Sequence, residues 1–284
     1  MANHNFKKPG EPKDFDFFES ENHPSNFRGL IEKVHELFDF VNIEDIEIDE
    51  TIPASLKKKI RNNSKHIAKL DKPWFNNTDT TGFLVRDDLL LTNWHSFFDT
   101  ESDKKDWETQ NKINRAKKHA RQTKALFGYF NNKCDPDLYE LDPETTFICS
   151  AKYDYCLISI KGNPGRKWGV IELPEKPHAL PNKVIILQHP NGQPQKAVYK
   201  NNDLIPRSDS SDYPKYCIKY IADTQSGSSG APVFDESMRL IALHHSSDRH
   251  AEDFSSEVRN EGVLIEYIIE DIKKRDPDID IKTI

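Results

Sequence analysis

Thr81-Gly82-Phe83-Leu84-Val85 and Leu89-Leu90-Leu91-Thr92, joined by the charged turn Arg86-Asp87-Asp88, are the two apolar runs from which the rest of the chain is read. Runs this short, bounded by turn residues, suit strands better than helices. The rhythm returns at Ala125–Phe130, Tyr155–Ile160, Val184–Gln188, Tyr216–Ala222, Val233–Phe234 and Leu240–Leu243, with Asp, Asn, Pro and Gly clusters between. Many short strands at such spacing predict an antiparallel barrel or sandwich.

Outside this rhythm the pattern is helical or polar. The first 25 residues are polar and charged and are expected to be flexible. From Phe27, apolar residues recur at Leu30, Ile31, Val34, Leu37, Phe38 and Val41, which predicts an amphipathic helix. An acidic patch at Glu44–Glu50, a break at Pro53 and a basic stretch at Lys57–Arg61 follow. Asp99–Lys124 is almost wholly charged, carries Trp107, Ile113 and Ala116, and is expected as an exposed helical insertion. Near the end, Val263, Leu264, Tyr267, Ile268 and Ile272 have helical spacing, and Lys273, Lys274 and Arg275 suit a helix C-terminus. The expected organisation is an N-terminal extension over residues 1–73 and a main domain over 74–284.

The chain has 284 residues, enough for a substantial core. Forty Lys and Arg against 47 Asp and Glu give a net charge of −7, which argues against a general nucleic-acid binder. No apolar run approaches the ~20 residues of a membrane span. The opening Met-Ala-Asn-His-Asn-Phe-Lys-Lys has no apolar stretch of the secretory kind. Cys134, Cys149, Cys156 and Cys217 show no CxxC pairing, so neither a zinc cage nor a disulfide framework is indicated. Three of them lie in apolar runs and are expected to be buried thiols. A cytoplasmic protein, with neither nucleic acid nor membrane as partner, is the resulting expectation.

Three places carry candidate chemistry. Gly227-Ser228-Ser229-Gly230-Ala231-Pro232 sets a serine between glycines, where a tight turn can aim the Gly227 and Ser229 N–H groups at one point. Such a donor pair is an oxyanion hole, although the same text alone could be a flexible turn. His95 stands just past the apolar run 89–92, where its side chain can face a cleft. Asp154 heads the run Tyr155-Cys156-Leu157-Ile158. Taken singly, a strand-leading Asp is usually a turn former and a lone His a structural hydrogen-bonder. Together they would supply the base and the orienting carboxylate that a serine nucleophile needs.

TGFLV…LLLTNWH, YDYCLISI and GSSGAPVF, in the order His, Asp, Ser, resemble the trypsin/chymotrypsin-like serine peptidases. The likeness is nearest to the bacterial, disulfide-free branch that includes glutamyl endopeptidases. It extends through Ile186–Gly192, Leu240–His245 and Asn260–Val263, covering about residues 74–270. The resemblance implies a mainly β chain of two antiparallel β-barrels, chymotrypsin-like, with the site in the cleft between them. The N-terminal helical extension and C-terminal helix are additions to it. It implies His95 as general base, Asp154 as orienting carboxylate, Ser229 as nucleophile, and Gly227 and Ser229 N–H groups as the oxyanion hole. Pro232 stands three residues after Ser229, which makes Ser228 the x of G-x-S. No metal or organic cofactor is implied.

Other expectations depend on departures from the family pattern. Ser228 occupies the place of the Asp that receives a newly cleaved N-terminus in digestive members, so that activation switch is expected to be absent. The N-terminal region or the 99–124 segment could supply restraint instead, through a regulatory protein partner. Asp223, six residues before Ser229, has the spacing of a pocket floor for Lys or Arg. Thr224 and His244 fall where glutamyl endopeptidases hold a substrate carboxylate. Asp223 would repel an acidic side chain, so the two readings compete, with a slight lean to acidic recognition. A protein or peptide substrate follows from the peptidase reading. The alternative is a catalytically silent peptidase-like binding or scaffolding module.

Overall fold

The computed structural model describes residues 52–74, 79–98, 106–200, 202–207, 213–248 and 259–281. The helix expected at 27–41, the polar first 25 residues and the opening of the 99–124 segment lie outside the described residues. The described chain enters on α1 (Ala54–Ser64), which carries the basic stretch on its surface and buries Ile60 fully.

Six antiparallel strands then close into a barrel. They are β1 (Ile67–Asp71), β2 (Thr80–Arg86), β3 (Leu89–Thr92), β4 (Lys124–Phe127), β5 (Asp137–Ser150) and β6 (Tyr155–Ile160). Their order around the barrel is β1-β2-β3-β6-β5-β4, and pairing of β1 with β4 closes it. The two runs that opened the sequence reading are β2 and β3, with Phe83 opposite Leu91 and Leu84 opposite Leu90. Every residue of β3 and β6 is buried, so these strands read as apolar runs rather than alternations. The barrel begins at Ile67, ahead of the boundary expected at residue 74.

Between β3 and β4 lies α2 (Gln110–Gln122), the helix expected in the charged segment. It is only half exposed, because Ala116 and Ala120 recur at one helical turn and are buried against the barrel. Trp107, just before it, meets the Phe98 ring edge-on at 5.9 Å, and the His119 Nδ1 lies 2.8 Å from the Phe97 carbonyl oxygen. Small alanines let the helix approach closely, which the charge count of this segment conceals.

The second half is a seven-stranded antiparallel sheet that curls as an open half-barrel. Its strands are β7 (Ile185–Gln188), β8 (Lys196–Val198), β9 (Leu204–Ile205), β10 (Cys217–Ile221), β11 (Pro232–Phe234), β12 (Leu240–Asp248) and β13 (Arg259–Leu264). They run in the order β8-β7-β11-β12-β13-β10-β9. α3 (Ile265–Arg275) follows β13 and is the last helix among the described residues. Val263 and Leu264, expected in this helix, are instead the last residues of β13, where Val263 pairs with both Cys217 and Leu243. Two flanking strands outweigh the helical spacing there. Cys149, Cys156 and Cys217 are buried free thiols.

Phe83, Leu91 and Leu157 from the barrel join Leu187, Leu243 and Ile268 in one apolar cluster. Burying a side chain of this size contributes roughly 1.5–3 kcal/mol, so the two halves are held by a shared core as well as by hydrogen bonds.

Candidate active site

His95 and Asp154 come from opposite ends of adjacent strands. His95 sits in the single 3-10 turn Trp94–Ser96 that follows β3, and Asp154 sits in the turn that leads into β6. β3 and β6 are paired, with Thr92 opposite Cys156, so the two turns are brought side by side. Three hydrogen bonds then lock them. Asn93 Nδ2 donates to the Asp154 carbonyl at 2.8 Å, the His95 backbone N–H donates to Asp154 Oδ1 at 3.0 Å, and His95 Nδ1 donates to Oδ2 at 2.7 Å. Trp94 is buried and stacks on Phe98 at 4.4 Å, which fixes the turn carrying His95. On the other side, the buried Tyr155 donates its hydroxyl to Asp271 of α3 at 2.8 Å, anchoring the residue next to Asp154.

A second imidazole shares the carboxylate. His245 of β12 donates from Nδ1 to Asp154 Oδ2 at 2.5 Å. His245 stands at an irregularity in β12, where His244 pairs with Gly262 but Ser246 pairs with Glu261. One extra residue on one strand is a β-bulge, and a bulge re-aims the side chain it carries. Burial alone would raise the pKa of the Asp154 carboxyl, but the two imidazoles beside it hold it well below the usual carboxylate range. Asp154 has φ +43°, a left-handed backbone seldom adopted outside Gly, Asn and Asp.

The loop of Ser229 is held by its backbone. Gly227 (φ +94°) and Gly230 (φ +84°) flank the two serines, so the turn needs glycine at both places. Thr81 N donates to the Ser229 carbonyl at 2.8 Å, and Thr81 Oγ1 donates to the Gly227 carbonyl at 2.8 Å. Gly230 N donates to the His244 carbonyl at 3.0 Å. A Cβ on Gly230 would lie 2.0 Å from the Thr81 oxygen and 2.5 Å from Thr92 Oγ1. The loop is thus seated on β2, on Thr92 three residues before His95, and on the residue before His245. Ser229 is half-buried, whereas Ser228 is fully buried and its Oγ accepts from Gln225 N at 3.1 Å. Asn191 N donates to the Ser226 carbonyl. Because the peptide is planar and trans, this turns the Gly227 N–H away from the Asn191 loop.

The three expected specificity residues have different surroundings. Asp223 is exposed, and its carbonyl oxygen accepts from Gln188 Nε2 at 2.9 Å. Thr224 is half-buried, with its hydroxyl bonded to Asn260 Oδ1, while Asn260 Nδ2 donates to the Ala222 carbonyl at 2.7 Å. His244 is buried with its Nδ1 2.7 Å from the Tyr220 hydroxyl. Burial, helped by the nearby His245 and His95, lowers the pKa of His244 to about 3, so it is a neutral imidazole. Successive strand residues face opposite sides, so His244 meets Tyr220 while the bulged His245 meets Asp154.

Sequence reasoning missed His245. Its only signal was the His244-His245 pair, and nothing in the order of residues says that β12 passes the turn of Asp154. Among the described residues, His95, Asp154 and His245 offer metal-donor atoms within 4.8 Å of one another.

A closed six-stranded barrel followed by a curled half-barrel sheet is the architecture of the chymotrypsin-like proteases. Residues 80–243 match the trypsin-like peptidase domain family, and the chain belongs to that family. The solved structure of Rv3671c from M. tuberculosis, a serine-to-alanine mutant in its inactive form, is similar with a TM-score of 0.53 and 13% identity, covering 84% of this chain and all of that one. A serine endoprotease from Yersinia pestis is similar with a TM-score of 0.55 and 13% identity, over 80% of this chain and 68% of that one. At such identities the likeness concerns the fold. A curated relative, the uncharacterized protein y4fB of Sinorhizobium fredii, is 26% identical over 183 residues, 58% of this chain. This chain covers about a quarter (24%) of that relative's length.

Proposed function

We propose that the chain is a serine endopeptidase that cleaves protein or peptide substrates with His95, Asp154 and Ser229. The observation that carries the reading is the His95–Asp154 pair beside a serine loop seated on Thr81 and Thr92. Ser229 attacks the scissile carbonyl while His95 Nε2 takes its proton. Asp154, ionised and bonded to Nδ1, keeps His95 in the tautomer with a free Nε2 lone pair and stabilises the imidazolium that forms. The tetrahedral oxyanion sits on the N–H groups of Gly227 and Ser229, each contributing roughly 2.7–4 kcal/mol in the transition state. His95 returns the proton to the leaving amine, and water repeats the sequence on the acyl-enzyme.

For the residue before the scissile bond we favour an acidic side chain. The Thr224 and Asn260 side chains and the neutral His244 are the polar groups that favour it, and the exposed Asp223 is the opposing influence. A cytoplasmic setting, with restraint from a protein partner through the N-terminal region, completes the proposal. The test is hydrolysis of a peptide library by wild type, Ser229→Ala and His95→Ala. The reading expects cleavage by wild type alone, enriched after Glu or Asp. Equal cleavage by wild type and Ser229→Ala would sink it.

A further inference from the structure

A serine peptidase needs one imidazole on its carboxylate, yet Asp154 Oδ2 receives two. Both arrive from constrained backbone. His95 rides a turn pinned through Asn93, His245 rides a β-bulge, and Asp154 itself holds a left-handed φ of +43°. A left-handed aspartate and a histidine on a bulge, meeting at one oxygen, call for a reason beyond orienting the base.

We propose that His95, Asp154 and His245 form a binding site for a borderline divalent cation of the zinc class, whose occupancy switches the base off. The switching half of this inference rests on the peptidase reading, and the binding half does not. Two imidazole nitrogens and one carboxylate oxygen are a three-protein-ligand set that suits zinc and its neighbours rather than calcium or magnesium. The donor atoms lie within 4.8 Å of one another. Around a tetrahedral ion with bonds of ~2.0–2.2 Å, ligand atoms stand about 3.3 Å apart. The present 2.7 and 2.5 Å contacts would therefore open by less than about 1 Å. The side chains of His95 and His245 are 35% and 28% exposed, so a cation can enter from their side and keep a water, while Asp154 at 7% forms the floor.

A liganding imidazole gives its Nδ1 lone pair to the cation and carries its proton on Nε2, so the cation takes the place of the two N–H hydrogens that point at the carboxylate. No electron is transferred. The His95 Nε2 that must accept the Ser229 proton would then carry one of its own. An occupied site thus holds the base in the wrong tautomer, and removal of the cation restores it.

The test uses the untagged full chain. Cobalt(II) is added as a spectroscopic probe and zinc is titrated by calorimetry, on wild type, Ser229→Ala and His245→Gln. Gln keeps an N–H donor for Asp154 but is a poor ligand, and circular dichroism checks its fold. The expected result is one equivalent bound by wild type and Ser229→Ala, with visible cobalt bands. His245→Gln should bind at least ~10-fold more weakly, since even changes outside the ligand set cost 10–100-fold. Zinc should abolish fluorophosphonate labelling of wild type, and EDTA should restore it. Absence of binding, or equal binding by His245→Gln, overturns the site. Binding that leaves labelling intact overturns the switch. A chain that binds through His245 yet never labels supports the site and sinks the peptidase reading.

Discussion

The two halves of the molecule hold their parts of the site by different means. In the barrel, His95 and Asp154 sit at the ends of paired strands, and their side chains bond directly to each other. In the half-barrel, Ser229 sits on a loop fixed almost wholly through backbone groups, with Thr81 and the His244 carbonyl as partners. A change of side chain in the barrel should therefore alter chemistry and leave the fold. In the half-barrel, a change at a glycine should alter the fold of the loop first.

The largest separation between these behaviours is expected from Asp154→Asn. Its amide cannot hold the His95 tautomer, and turnover should fall by ~10⁴-fold with little loss of solubility. If the variant retains more than a tenth of wild-type turnover, Asp154 does not orient the base. Gly230→Ala should also silence the enzyme, by another route. Its Cβ would meet the Thr81 carbonyl at 2.0 Å in a backbone of φ +84°, so lower thermal stability must accompany the lost activity. A Gly230→Ala protein with unchanged melting temperature would break the comparison.

Thr81→Val sharpens it. This exchange keeps the β2 backbone and shape while removing the hydroxyl that donates to the Gly227 carbonyl and accepts from His189 N at 3.1 Å. The cost of unsatisfied buried partners is about 1–3 kcal/mol. It should appear mainly as reduced kcat, because the Gly227 carbonyl of the serine loop loses its partner. A KM effect with unchanged kcat would assign Thr81 to binding instead.

A pH effect common to both halves is the smallest. His66, bonded through Nδ1 to the Trp168 carbonyl at 2.6 Å, and His189, 3.0 Å from the Gln193 carbonyl, are both kept neutral by burial. The pKa of His189 is lowered from 6.5 to about 4, and that of His66 moves in the same direction. The unfolded chain takes up these protons first as pH falls below 6.5, so stability is full above that value and declines toward pH 4. His189→Gln, which has no proton to take up over this range, should recover part of that loss. Melting temperatures between pH 7.5 and 4.5 test this, and a flat profile would contradict it.

Much of this contrast was legible in the residues themselves. The apolar runs at 81–85, 89–92, 155–160 and 184–188 became β2, β3, β6 and β7, because strands buried throughout declare themselves by composition. β5 escaped, since Asp137–Ser150 carries its charges on an exposed face and reads as a loop. β13 was taken into a helix, because the spacing of Val263 and Leu264 fits either state until a partner strand is present. His95 and Asp154 were found through the motifs around them. His245 was not, since its role depends on a bulge and on two residues 91 positions apart in sequence meeting in space.

The most direct measurement is labelling of purified wild type, Ser229→Ala and Ser228→Ala with a fluorophosphonate probe, with the modified residue mapped by mass spectrometry. The account predicts a single adduct on Ser229, absent from Ser229→Ala and still formed by Ser228→Ala. An adduct on Ser228, or labelling that survives in Ser229→Ala, would contradict it.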